Sequence, residues 1–223
     1  MLALKMAFIG LVSLLCVNLI SQLISFEASA QIVDTLQGFT PVPLSQSNFE
    51  LHKPYDVAAN DRYSFSNGEH RLWVYSTDKP HYQGSTTKPR TEIKIRGYDY
   101  SSGVWQFEGY VYVPSGTTGV CIMQTFGGSS RATTMMLRVY GGSFTYYRSP
   151  VLLSNVYNKW IRVNVIHDVG ASNVKIYLNQ QLRYEGAGAG GSSHYFKFGV
   201  YAQNDESNYM ESRWVGIKVL RKN

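Results

Sequence analysis

Residues 195–203 alternate strictly between two faces, a period of two that suits a β-strand and not a helix. Tyr195, Lys197, Gly199, Tyr201 and Gln203 fall on one face, and Phe196, Phe198, Val200 and Ala202 on the other. One face is core. The other is a row of hydrogen-bonding groups with a cation in it. Residues 90–96 repeat the pattern, with Thr91, Ile93 and Ile95 inward and Arg90, Glu92, Lys94 and Arg96 outward. In 121–127, Gln124 and Phe126 share a face. Charges on one such strand need only keep it soluble, but three of them ask for a common purpose.

Past the N-terminal region no segment has helical periodicity, and about a dozen strand-like runs follow one another instead. They cover 63–65, 70–76, 90–96, 104–113, 119–126, 133–140, 143–148, 160–167, 173–178, 181–185, 195–203 and 213–220. Asn67-Gly68, Gly141-Gly142 and Asn179-Gln180 read as tight hairpin turns. So many short strands in one domain predict an all-β fold of two packed antiparallel sheets. Residues 186–193, Gly-Ala-Gly-Ala-Gly-Gly-Ser-Ser, form a low-complexity run that is either a plain loop or a flap over one end of a groove.

Arg90-Thr91-Glu92-Ile93-Lys94, Gln124-Thr125-Phe126 and the strand from Tyr195 to Tyr201 resemble, in order, the three signature motifs of the alginate lyase superfamily. The family motifs are Arg-Ser/Thr-Glu-Leu-Arg, Gln-x-His and Tyr-Phe-Lys-x-Gly-x-Tyr. Phe126 stands where the family has histidine. Lys53-Pro54-Tyr55-Asp56-Val57, the run from Leu72 to Pro80, Val104-Trp105-Gln106-Phe107-Glu108-Gly109 and the run from Asn208 to Trp214 narrow the likeness to the plant citrate-binding branch. The resemblance implies a concanavalin-like jelly-roll sandwich with the three motif strands on one grooved sheet. Arg90, Lys94, Gln124, Lys197 and Tyr201 would then face the groove.

The N-terminus carries Lys5, an apolar run over 6–20 and Ala28-Ser29-Ala30, the three-part pattern of a secretory signal peptide cleaved after Ala30. The continuous apolar stretch is shorter than the ~20 residues a membrane span needs. Residues 1–30 are therefore read as signal and 31–223 as one domain, destined for the vacuole or the extracellular space. Cys16 leaves with the signal, so Cys121 is the only thiol of the mature chain, and alternation points it into the core. Lys5 and Glu27 cancel, leaving the mature charge at +6. That excess favours anionic partners without selecting one. A secreted chain with no basic cluster or nucleic-acid motif excludes nucleic acid as partner; a small polycarboxylate or an acidic polysaccharide fits, and a monomer is expected.

For a lyase, the resemblance implies β-elimination from a uronate polymer. Arg90 and Gln124 would hold the carboxylate and Tyr201 would move protons. A free tyrosine titrates at about 10, and nearby Arg90 and Lys197 would favour its phenolate. Phe126 can neither accept nor donate a proton, so an enzyme would need its imidazole from elsewhere: His81, unless it is a solvated loop residue, or His70. Binding without turnover asks only for paired donors and charge, which Arg90, Lys94, Gln124, Lys197 and Tyr201 supply. His52, His70, His81, His167 and His194 show no metal-ligand spacing, and no phosphate loop is present, so neither metal nor cofactor is expected. His167-Asp168 reads as a strand-end pair. The leading reading is a citrate-type binder, followed by a uronate lyase and then a non-catalytic acidic-glycan module.

Overall fold

The computed structural model describes residues 32–129 and 131–223, so the signal peptide expected over 1–30 lies outside the described residues. The strands are β1 (Phe39–Pro41), β2 (Phe49–His52), β3 (Tyr63–Ser66), β4 (Glu69–Tyr75), β5 (Arg90–Ile95), β6 (Val104–Tyr112), β7 (Val120–Phe126) and β8 (Thr133–Tyr140). There follow β9 (Ser143–Tyr146), β10 (Val151–Leu153), β11 (Trp160–Asp168), β12 (Asn173–Leu178), β13 (Gln181–Ala187), β14 (Tyr195–Ala202) and β15 (Tyr209–Lys222). They form two antiparallel sheets. One runs β13-β12-β11-β6-β15-β4-β3 with β1 added on β15; the other runs β10-β9-β8-β7-β14-β5-β2. The fold is all-β, as the alternation predicts.

The expected hairpins adopt the left-handed geometry that two-residue turns demand. Asn67 and Gly68 have φ of 51° and 78°, Gly141 and Gly142 53° and 76°, and Asn179 and Gln180 49° and 64°. Three short strands escaped the periodicity: β1, β2 and β10. β2 is the costly omission, because it forms one wall of the site described below.

Between the sheets lies a core in which aromatic rings from both interlock. Phe198 of the seven-stranded sheet meets Trp214 of the other at 5.6 Å, and Trp214 meets Phe107 edge-on at 5.7 Å. Phe196, Phe198, Val200 and Ala202 are all buried there, so the opposite face of β14 is held outward. Gly199 is the one interruption. Its φ is +138°, and an added Cβ would stand 2.4 Å from the Thr91 carbonyl oxygen. The residue lets β14 bulge between Phe198 and Tyr201 while keeping pairing with β5.

A second bulge, on β7, changes one expectation. Register shifts between Cys121 and Met123, so Val120, Ile122 and Met123 all enter the core. Cys121 pairs with Tyr201 on one side and Arg138 on the other. Directly opposed residues share a face. Cys121 is fully buried, but on the outward side of the sheet, beneath those two side chains, and not in the core. Burial pushes its thiol far up, so it is no nucleophile.

Candidate functional site

Pairing places the motif side chains on rungs across the seven-stranded sheet. One rung runs Arg90, Tyr201, Cys121, Arg138. Another runs Glu50, Lys94, Lys197, Gln124, Met136. A third joins Tyr195 to Phe126 and Thr133, and His52 stands opposite Glu92. Above these rungs opens a cleft of about 390 Å³, walled by His52, His81, Arg90, Gln124, Lys197 and Tyr201 among others. Arg90, Gln124, Lys197 and Tyr201 therefore meet as expected.

Glu92 lies at the centre, and alternation misjudged it. It is 1% exposed. Its carboxylate accepts from the Gln124 amide, lies 3.3 Å from an Arg90 guanidinium nitrogen and 3.6 Å from Lys197 Nζ. The outward face of β5 is thus the buried floor of a cleft, and not a solvated surface. A buried carboxylate needs such partners, because desolvation costs several kcal/mol per ion when uncompensated. One N–H of Gln124 is spent on Glu92, which leaves that side chain less to offer a ligand than expected. Two cations against one anion give the cleft floor a residual positive charge.

Rings position the cations. The Arg90 guanidinium lies 3.7 Å from the Tyr201 ring centre, a close cation–π contact. Phe126 stacks on Tyr195 at 4.8 Å and 15°, so the position that carries histidine in the family motif is filled by an inert aromatic pair. Lys94 sits on the same face but turns to the rim, 4.1 Å from the Tyr195 ring and 3.7 Å from Asp99. It walls no part of the cleft.

The structure does bring an imidazole in, from β2. Lys197 Nζ stands 3.3 Å from His52 Nδ1, while His52 Nε2 donates to Glu50 at 3.0 Å. Burial, helped by the Lys197 charge, lowers the His52 pKa to about 4, so the ring is neutral near pH 7. His81 stacks on it at 4.1 Å, its Nδ1 3.2 Å from the Lys53 carbonyl oxygen. His81 is therefore a cleft residue and not a solvated loop histidine. His70 lies elsewhere, on the eight-stranded sheet, buried against Phe65 and Phe198 and bonded to the Tyr63 hydroxyl. The signal for His52 was present: Phe49-Glu50-Leu51-His52 alternates, but over only four residues.

Tyr201 departs from expectation in sign. Burial raises its pKa and outweighs the opposing pull of Arg90, so the phenol holds its proton. Burial likewise pushes Tyr195 up to about 12. Lys197 is lowered by burial, against the pull of Glu92. The cleft thus offers a planar cation, a desolvated ammonium, a phenol donor and a neutral imidazole. These can hold a carboxylate, and the neutral His52 stands beside them as a proton acceptor.

In the Gly/Ser-rich run, Gly188 and Ala189 are tied to neighbouring segments. The Gly188 N–H donates to Ser172 O at 2.7 Å and the Ser129 N–H to Ala189 O at 2.8 Å. The segment is a stitched loop in this structure.

A family model described as alginate lyase matches residues 42–221. A citrate-binding protein of Hevea brasiliensis is 54% identical over 189 residues, 84% of this chain and 79% of that one. Among solved structures, the alginate lyase AlgAT5 of polysaccharide lyase family 7 superposes with a TM-score of 0.61 at 17% identity, covering 77% of this chain and 93% of that one. The alginate lyase from Corynebacterium sp. gives 0.59 at 18%, with coverages of 85% and 96%. At such identities the two structures speak for the jelly-roll sandwich alone.

Proposed function

This chain belongs to the alginate lyase family, and on that premise we propose that its cleft binds small polycarboxylates, citrate foremost, without cleaving a polymer. The observation that carries the reading is the Phe126–Tyr195 stack, which fills the motif's histidine position while Arg90 and Lys197 keep the floor cationic. The Hevea relative, named for binding citrate, supports it. Each charge-assisted hydrogen bond contributes about 1.5–3 kcal/mol net, so two or three give affinity on the micromolar scale. The N-terminal sequence pattern alone supports the companion proposal that the mature chain travels the secretory route to the vacuole or out of the cell.

Glu92 is a resident competitor for the cations a ligand needs. Glu92→Gln keeps the shape and removes the charge, so citrate affinity is expected to rise by about tenfold while the melting temperature falls. Calorimetry and thermal unfolding on the same sample check both halves. A weaker citrate interaction would mean that Glu92 orders Arg90 and Lys197 more than it competes with them.

A second reading, a uronate lyase, is favoured by one observation: the neutral His52 in the cleft beside Lys197. Positioned acid–base groups contribute on the order of 100- to 10,000-fold, so the two readings differ sharply in turnover. The wild-type protein is expected to generate no unsaturated uronate absorbance from alginate or glucuronan. Phe126→His is expected to create weak activity that vanishes when Tyr201→Phe is added, because position 126 shares its face with Gln124. Wild-type turnover lost in His52→Ala or His81→Ala would decide for the lyase.

A further inference from the structure

Two further cations at the grooved sheet, Arg138 and Arg131, have no counter-ion among the described residues. Arg138, on β8, occupies the rung of Arg90, Tyr201 and Cys121. No carboxylate lies within salt-bridge distance of it among the described residues; its Nη2 meets only the Met136 sulfur at 3.1 Å, and its Nε is enclosed without a partner. Its guanidinium stands 5.1 Å from the Tyr147 ring centre. Arg131 stands 4.5 Å from the same ring, with Nη2 3.3 Å from the Tyr146 hydroxyl and likewise no acid in reach among the described residues.

That situation is unlike the rest of the molecule. Arg138 is half-buried, and the other half-buried arginines among the described residues, Arg62, Arg71, Arg90, Arg162 and Arg213, each hold an aspartate or glutamate. The Arg138 guanidinium, taken partly out of water and given no anion, is a cost the fold carries for a reason, and the exposed Arg131 against the same ring repels it. Tyr147 is a fixed platform for both. Its hydroxyl bonds Thr133 Oγ1 and Thr133 O at 2.8 Å each, and its N–H donates to Met136 O at 3.0 Å. Thr133 and Met136 also line the cleft, so the two regions are continuous.

Separation decides what can fill the second region. Arg90 and Arg138 are three strand spacings apart, about 14 Å at the backbone. The Arg90 head lies over the Tyr201 ring and that of Arg138 by the Tyr147 ring, which is bonded to Thr133 of β8. The outer carboxyl carbons of citrate are only about 5 Å apart. A carboxylate seated beside Tyr147 is therefore a different one from any that Arg90 would hold over Tyr201.

We propose that Arg131 and Arg138, set on Tyr147, form a second carboxylate-binding site in the same groove. It rests on the reading of the groove as a carboxylate site and adds a distinct locus to it. The carboxylate comes either from a second small polycarboxylate or from a distant unit of an extended polyanion lying across β5 to β8.

Calorimetric titration with citrate and with a uronate tetramer separates the two sources, using the wild type, Arg131→Gln/Arg138→Gln and Arg138→Lys. With the first source, the double variant loses one of two citrate equivalents. With the second, citrate is unchanged and tetramer affinity drops about tenfold or more. Arg138→Lys, which keeps the charge, retains most of the binding in either case. Arg131→Gln alone, a change in an exposed loop residue, should cost tetramer binding or the second citrate equivalent at least threefold, which covers the event that the double variant fails to fold. Citrate stoichiometry and tetramer affinity both within twofold of wild type in the double variant would overturn the proposal, as would a wild type that binds neither probe. A wild type that ignores citrate but binds the tetramer through Arg131 and Arg138 keeps this site and rejects the small-polycarboxylate reading instead.

Discussion

Acidification from neutral pH to about pH 4 is expected to remove most of the folding stability, because three buried histidines stay neutral in the fold. Burial lowers the pKa of His52, His70 and His167 from 6.5 to about 4 each. His70 and His167 are 4% and 2% exposed. Each is held by a neutral or apolar setting: His70 by Tyr63 and phenylalanine rings, His167 by the Tyr100 hydroxyl at 3.1 Å and the edge of His194. Asp168 pulls the His167 value back only in part. The unfolded chain protonates these rings below pH 6.5 and the folded chain does not, so stability is complete above that value and declines as pH falls towards 4. A shift of that size corresponds to at most ~3 kcal/mol per ring, and relaxation of the site reduces it. Three together approach the 5–15 kcal/mol that holds a domain folded. The carboxylates of Glu108 and Glu211, lowered by their arginine and lysine partners against burial, extend the decline below pH 4. Urea unfolding midpoints across the range should fall steadily below pH 6.5; midpoints flat to pH 4 would show that the rings protonate freely in the folded state.

The second large effect concerns Arg90. Arg90→Ala is expected to weaken citrate binding by about a hundredfold, the upper end of what one charge-assisted hydrogen bond contributes. The substitution takes away a planar pair of donors and also one of the groups that neutralise Glu92. The cleft floor then holds one ammonium against one carboxylate, with no excess positive charge for a ligand. Arg90→Lys should recover part of the loss, since it restores charge without the fork geometry or the flat contact on Tyr201. Equal losses in the two variants would assign the whole effect to geometry.

Most of the fold was legible because strands with one apolar face advertise themselves. The inward sets Phe196, Phe198, Val200 and Thr91, Ile93, Ile95 are buried as alternation requires. Tight turns were legible for the same local reason, as residues with left-handed φ are few in kind. Where a partner strand decides the outcome, the sequence was silent. The bulge that turns Cys121 away from the core depends on the pairing of β7 with β8 and β14, and alternation alone points the other way. Glu92 reads as a solvent-facing charge until Gln124, Arg90 and Lys197 close over it. His52 comes from a strand of four residues, too short for its period to stand out. The motif residues Arg90, Gln124, Lys197 and Tyr201 converge on one cleft while Lys94 turns to its rim, and the tertiary arrangement sets their partners.

Calorimetric titration of the purified chain with citrate near pH 7 tests the central claim most directly. The account predicts saturable heat with a micromolar-scale dissociation constant, binding that weakens with added salt, and a loss of about a hundredfold in Arg90→Ala. No heat from citrate, alongside tight binding of oligouronates that depends on Arg90, would contradict it.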